Sequence, residues 1–289
     1  MVISKLINNN YVVAANEDAE DDEEVIVKGV GVGYKKNIGD MIPTGQIEKI
    51  YRLKNGKTLD ELSGLLKNIP DNQFQVCDKI IDFARKKLKT ELNPNLYVTL
   101  TDHVNYAIFR WSKGIQVANP MLNEIKSFYP KEFEIGKYAI MQIRKKLDVD
   151  LGEDEAGFIA FHMVNAEANT EMNTTMEITN LVKETIHIIE EYFAIQFNDK
   201  DINYRRLVSH LQFIANNVVN NKHAHTSSDV FNQFIFESYP EEAACSKKVA
   251  DHIKDHFQYE LDEDELSYMI VNISRVRKRK KIERKKKNV

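Results

Sequence analysis

LTDHVNY at Leu100–Tyr106 returns as LVSHLQF at Leu207–Phe213, 107 positions later. Working outward, SFYP at Ser127–Pro130 returns as ESYP at Glu237–Pro240, an offset of 110. LGEDEAGFIAFHM at Leu151–Met163 returns as LDEDELSYMIVNI at Leu261–Ile273, again offset by 110. Three matches in one order at nearly one spacing define two copies of a single domain. The segments around them are helical in period. Val76, Ile80, Phe83, Ala84 and Leu88 recur every three or four residues, as do Ile178, Leu181, Val182, Ile186, Ile189 and Phe193. An all-α pattern therefore extends from about Gln73 to Ile282, with the copies dividing near residues 170–175, in the polar stretch Ala166–Thr175.

Residues 1–55 follow a different period. Val2–Ile3, Leu6–Ile7, Tyr11–Ala15, Val25–Val27 and the alternating Gln46–Leu53 read as short strands. Asn8–Asn10 and the glycines Gly29, Gly31 and Gly33 punctuate them, where turns or close backbone approach are expected. A β-unit this small buries little surface alone, so a stabilising partner is expected. Two copies packed face to face would supply one. Leu59, Leu62, Leu65 and Leu66 then open a helical stretch that serves as linker or as the start of the next domain.

The composition is that of a soluble globular protein: 289 residues, 29% charged and 43% apolar, a length suited to two or three domains. No run approaches the roughly 18 apolar residues of a membrane-spanning helix. MVISKLINNNYVV lacks the pattern of a signal peptide, so a cytoplasmic location is expected. Two cysteines, Cys77 and Cys245, exclude a disulfide scaffold and a cysteine zinc site and read as reduced, buried thiols.

The net charge of −4 is unevenly distributed. Arg275–Val289 carries ten Lys/Arg against one Glu, whereas Glu17–Glu24 holds seven acids in eight residues. A basic tail on an acidic body fits either contact with nucleic-acid phosphates or a solvated extension of a helix end. The acidic stretch would repel RNA and must point away from any RNA site.

No catalytic constellation emerges. An HExxH metal spacing, a GxSxG elbow and a GxxxxGK[ST] loop are all missing, and GVGVG at Gly29–Gly33 lacks dinucleotide spacing. No metal or cofactor is expected. Of the eight histidines, His103 and His210 occupy one equivalent position in the two copies. His162 ends the longest matching segment, but its counterpart is Asn272. His223 and His225 lie in a polar stretch and read as an exposed loop. A single histidine is usually an ordinary structural residue, but equivalent placement in two copies argues for a shared role. An imidazole can accept a phosphoryl group because one ring nitrogen is an unprotonated nucleophile at neutral pH. The added charge of about −1.5 to −2 would suffice for a switch.

The N-terminal unit holds a different inventory: Lys5, Asn8, Asn10, Lys28, Gly29, Gly31, Tyr34, Lys35 and Lys36. Lysines neutralise phosphates, amides read base edges and aromatic rings stack on unpaired bases. Any small β-domain could carry such a set, so by itself it is a weak pointer to RNA.

The order β-unit, histidine repeat, histidine repeat resembles the BglG/SacY family of transcriptional antiterminators. The resemblance rests on INNNYV near the start, VKGVGVGYKKNIGD at Val27–Asp40, IEKIYRL at Ile47–Leu53, LTDHVNYA, GFIAFHMVNA around His162 and SHLQF around His210. It implies a multidomain chain: a small antiparallel β RNA-binding (co-antiterminator) domain over residues 1–56, a linker at 57–67, then two homologous all-α domains. These are phosphotransferase-system regulation domains (PRDs) over 68–173 and 174–282, with a basic tail at 283–289. It further implies a homodimer that binds a hairpin in an mRNA leader and so keeps the terminator from forming. His103, His162 and His210 would be phosphorylated by HPr and a sugar-specific enzyme II, first-domain modification switching the protein off and second-domain modification favouring the active dimer. No enzymatic activity is implied. Asn272, where the family has a second-domain histidine, and Val30, where relatives often carry arginine, depart from the pattern. A promoter-reading activator with the same helical domains would need a helix-turn-helix in residues 1–55, and a phosphotransferase component would pass its phosphoryl group onward.

Overall fold

A computed structural model describes residues 1–15, 24–53, 56–222 and 229–287, the backbone alone at 229–230 and 279–287. The acidic stretch at 17–23, His223, His225 and the side chains of the basic tail from residue 279 on lie outside the described residues. The chain forms two compact units, Met1–Thr170 and Glu171–Val289.

The first unit opens with a four-stranded antiparallel sheet in sequence order: β1 (Val2–Leu6), β2 (Tyr11–Ala15), β3 (Glu24–Lys28) and β4 (Lys49–Tyr51). The strands expected from the apolar runs and from the alternating Gln46–Leu53 are present, with β4 shorter because Thr44–Gln46 forms a 3₁₀ turn. Pairings of Tyr11 with Lys28 and of Ile26 with Tyr51 fix the register. One face then carries Tyr11, Val13, Ile26 and Tyr51, and the other Val12, Ala14, Val25 and Val27. In β1 the register shifts between Ile3, opposite Ala14, and Lys5, opposite Val13. This bulge at Ser4 breaks strict alternation: Ile3 stays on the Val12 face, while Lys5 turns to the Tyr11 face. Val32 and Ile42, from the chain between β3 and β4, cover the Val12 face. Gly29 is required there, because a Cβ would stand 1.9 Å from the Gln46 carbonyl oxygen.

The Tyr11 face is covered by helices of the same chain. Residues 57–67, expected as a linker, belong to α1 (Gly56–Asn68), which buries Leu59, Leu62 and Leu66. α2 (Asp71–Leu88) follows, then α3 (Leu96–Ser112), α4 (Leu122–Phe128), α5 (Pro130–Leu147) and α6 (Glu153–Ala168). Phe74 of α2 is fully buried, its ring 5.5 Å from Tyr11 and 5.6 Å from Tyr51, both edge-on. Tyr97 of α3 meets Tyr51 at 5.1 Å. Sheet and helices thus share one continuous core. The stabilising partner that the small sheet needs is, in this state, the first helical domain.

The second unit comprises α7 (Met172–Phe193), α8 (Ile202–Val219), α9 (Asp229–Ser238), α10 (Pro240–Phe257) and α11 (Glu263–Lys287). These five correspond in order to α2–α6, as the sequence repeat requires, and α1 has no counterpart. Pro130 and Pro240 both begin their helices, where the missing N–H costs nothing. Cys77 and Cys245 are buried free thiols, and burial pushes both up to about 12.

α5 and α6 approach each other closely at Gly136, where a Cβ would lie 2.0 Å from the Ala156 carbonyl oxygen. We predict that Gly136→Ala forces the two helices apart and costs about 1–3 kcal/mol, measured by urea unfolding of the full chain. An unchanged midpoint would show that the contact yields without strain.

Candidate functional site

In the sheet, the Asn8 carboxamide oxygen accepts the backbone N–H groups of Asn10 and Tyr11 at 2.9 and 3.0 Å, closing the turn between β1 and β2. The Gly29 N–H donates to the Asn10 carbonyl at 3.0 Å, the Gly31 N–H to the Asn10 side-chain oxygen at 3.2 Å, and the Gly33 N–H to the Asn9 carbonyl at 3.0 Å. The glycine-rich loop is thereby laid on the asparagine turn. The sequence-predicted residues Asn8, Asn10, Lys28, Gly29 and Gly31 converge here, and Gly29 is itself buried. Tyr34 and Lys35 are exposed beyond them, with the Lys35 ammonium 5.3 Å from the Tyr34 ring. Lys36 donates to the Met41 carbonyl at 3.4 Å, and Lys28 lies 3.8 Å from Glu48.

Three of the predicted residues also face helices. Lys5 Nζ lies 2.8 Å from Asp60, Asn8 Nδ2 donates to the Leu66 carbonyl at 2.8 Å, and Asn10 Nδ2 donates to Asp71 at 3.4 Å. Beside them Lys49 bridges Asp78 at 2.6 Å and Asp82 at 2.9 Å. Burial alone would lower the Lys49 ammonium, but its bonds to the two carboxylates outweigh that and hold it above its ordinary range.

The second cluster lies within the first helical domain. Residues seven apart share a helix face, so His103 and Arg110 project together from α3, and Glu155 and His162 from α6. Glu155 joins them: one carboxylate oxygen is 3.0 Å from His103 Nε2 and the other 2.5 Å from Arg110. The His103 and His162 rings are 4.8 Å apart. Burial would raise the Glu155 carboxyl, yet His103 and Arg110 hold it below the usual carboxylate range. An ionised carboxylate only accepts, so His103 donates from Nε2, and in the neutral ring the lone pair is left on Nδ1. Burial, with a smaller contribution from His103, pushes the His162 imidazole down to about 3. It is neutral at physiological pH.

The same positions in the second unit are His210, Asn217, Glu265 and Asn272. His210 is half-buried, and burial pushes it down to about 4. Asn217 replaces the cation and bonds Glu265 at 3.3 Å, while Asn272 donates to the Tyr268 carbonyl of its own helix at 2.9 Å. The repeated fold therefore carries two different polar clusters. The sequence reading found the histidines but missed Arg110 and Glu155. The seven-residue spacings 103/110 and 155/162, compared across the repeat, contain them.

Comparison with known proteins agrees with both halves of this geometry. Residues 1–60 match the CAT RNA binding domain, and residues 78–166 and 183–276 match the PRD domain. The chain belongs to the family of CAT- and PRD-containing regulators. It is similar over 276 residues, at 38% identity, to the transcription antiterminator LicT of Bacillus subtilis, covering 96% of this chain and 99% of LicT. It is 36% identical over 277 residues to the beta-glucoside operon antiterminator of Dickeya chrysanthemi, covering 96% and 97% respectively. Among solved structures, that of GlcT CAT-PRDI aligns with a TM-score of 0.51 at 32% identity, over 58% of this chain and 98% of the other. No helix among the described residues is long and apolar enough to cross a membrane.

His162 gives a pH prediction whose sign is fixed. Its folded value of about 3 lies below the ordinary histidine value of 6.5, so the unfolded chain takes up the proton first. Wild type should lose stability relative to His162→Gln by up to about 1.4 kcal/mol per pH unit as pH falls from 6 to 4. Urea unfolding of both proteins across that range checks it. A constant difference would mean that the folded ring charges normally.

Proposed function

We propose that this protein is a sugar-responsive transcription antiterminator. A homodimer binds a hairpin in an mRNA leader and prevents terminator formation, under control of histidine phosphorylation by the phosphotransferase system. The observation that carries this reading is the union, in one chain, of a CAT RNA-binding sheet with two PRDs that each hold a histidine at one equivalent position. Lys5, Asn8, Asn10, Lys28, Gly31, Tyr34, Lys35 and Lys36 are its RNA-contacting residues, and Gly29 sets the spacing of the loop that carries them. His103, His162 and His210 are the phosphoryl acceptors, and HPr and a sugar-specific enzyme II are the donors. The protein acts in the cytoplasm as a regulator and not as an enzyme.

The cluster chemistry supports this division of labour. A neutral imidazole is the nucleophilic form, and burial keeps His162 and His210 neutral. A phosphoryl group on His103 would add about −1.5 to −2 charges beside the Glu155 carboxylate, repelling it. Arg110, already bonded to Glu155, is the cation at hand to take the phosphate instead. At the equivalent position the second domain has Asn217, and Asn272 cannot be phosphorylated. Modification there rests on His210 and meets a different polar neighbourhood. The strands of residues 1–53 also disfavour a promoter-reading relative, which would need a recognition helix there.

Incubation of the full chain with HPr, enzyme I and labelled phosphoenolpyruvate should give acid-labile label in peptides containing His210. Addition of the cognate enzyme II should label the peptide containing His103. His103→Ala should abolish the latter and raise reporter expression without inducing sugar. Label on neither domain under any donor would refute the reading.

A further inference from the structure

The residues assigned to RNA do not stand clear of the protein. Lys5 is held by Asp60, Asn8 by the Leu66 carbonyl and Asn10 by Asp71, at 2.8, 2.8 and 3.4 Å. All three acceptors belong to α1 or the first turn of α2. Each is an oxygen at hydrogen-bonding distance from a cation or amide, which is the chemistry that phosphate and base-edge oxygens of RNA would present to the same donors. Under this rim α1 and α2 press Leu62, Leu66 and Phe74 into the core shared with Tyr11, Val13, Ile26 and Tyr51. The bulge at Ser4 brings Lys5 to this side of the sheet. Lys49 fastens the far edge to Asp78 and Asp82.

We propose that the Tyr11 face of the sheet, with its donors Lys5, Asn8 and Asn10, is a contested interaction surface. In this state α1 and the start of α2 occupy it, and an RNA hairpin must displace them to bind. This rests on the RNA-contacting role assigned above. Tyr34 and Lys35 remain exposed, so RNA can meet the glycine-rich loop first and gain the asparagines only once the helices leave. The exposed Lys5–Asp60 pair contributes little stability, whereas the apolar contact beneath it is extensive. The carboxylates therefore decide which partner the donors choose, and the apolar face sets how rarely the helices let go. Apparent RNA affinity is scaled down by the fraction of molecules in which they have done so.

The test uses the full chain and a synthetic imperfect hairpin selected against it from a pool with randomised loops. Hydrogen–deuterium exchange is read with and without saturating hairpin. Faster exchange in Gly56–Asn68 and in the first turn of α2 upon binding is the expected result. Bound hairpin with unchanged or slower exchange there overturns the proposal. Faster exchange on raising protein concentration alone, to the same extent, also overturns it, because a second copy would then be the displacing partner. As an independent measurement, Asp60→Asn with Asp71→Asn should tighten hairpin binding by roughly 3-fold or more at low salt. Equal or weaker binding by the folded double variant counts against the proposal. Recovery of no hairpin at all refutes the RNA-binding reading itself, and the displacement with it.

Discussion

The edge-to-face packing of Phe74 against Tyr11 and Tyr51, extended by Tyr97, is the contact on which the first 170 residues depend. A four-stranded sheet with apolar residues on both faces has two surfaces to bury. The loop carrying Val32 and Ile42 covers one, and the aromatic cluster joins the other to α1–α3. Because both halves share this core, a change in either is felt by the other. The polar rim of Lys5, Asn10 and Lys49 is aligned by that packing and adds direction to it more than strength.

Much of this was legible in the sequence. The apolar runs Tyr11–Ala15 and Val25–Val27 and the alternation near Gln46–Leu53 marked the strands, and the three repeated segments marked a duplicated helical domain whose five helices correspond one to one. What local pattern could not give was non-local. Leu59, Leu62 and Leu66 announce an amphipathic helix, but nothing in their spacing says that its apolar side closes onto a sheet and not onto a neighbouring helix. The bulge at Ser4 was equally hidden, since it inserts one residue without changing composition, yet it decides which side Lys5 occupies.

The candidate site divides in the same way. His103 and His210 stood out by repetition and His162 by its place in a repeated segment, whereas Arg110 and Glu155 look like ordinary helical charges until α3 and α6 are brought together. Comparison of the two copies then becomes informative: glutamate is kept at 155 and 265, while arginine becomes asparagine at 217 and histidine becomes asparagine at 272. The fold duplicates the scaffold without duplicating its electrostatics. In one domain the glutamate is bonded to an arginine and a histidine, and in the other to an asparagine.

The shared core also bears on how the molecule can be dissected. A cut after residue 56 would strip the cover from Tyr11, Val13, Ile26 and Tyr51 and leave a thin ribbon with a bare greasy side. Such a fragment has every thermodynamic reason to stick to a twin. Self-association seen in it would therefore describe the amputation as much as the intact regulator.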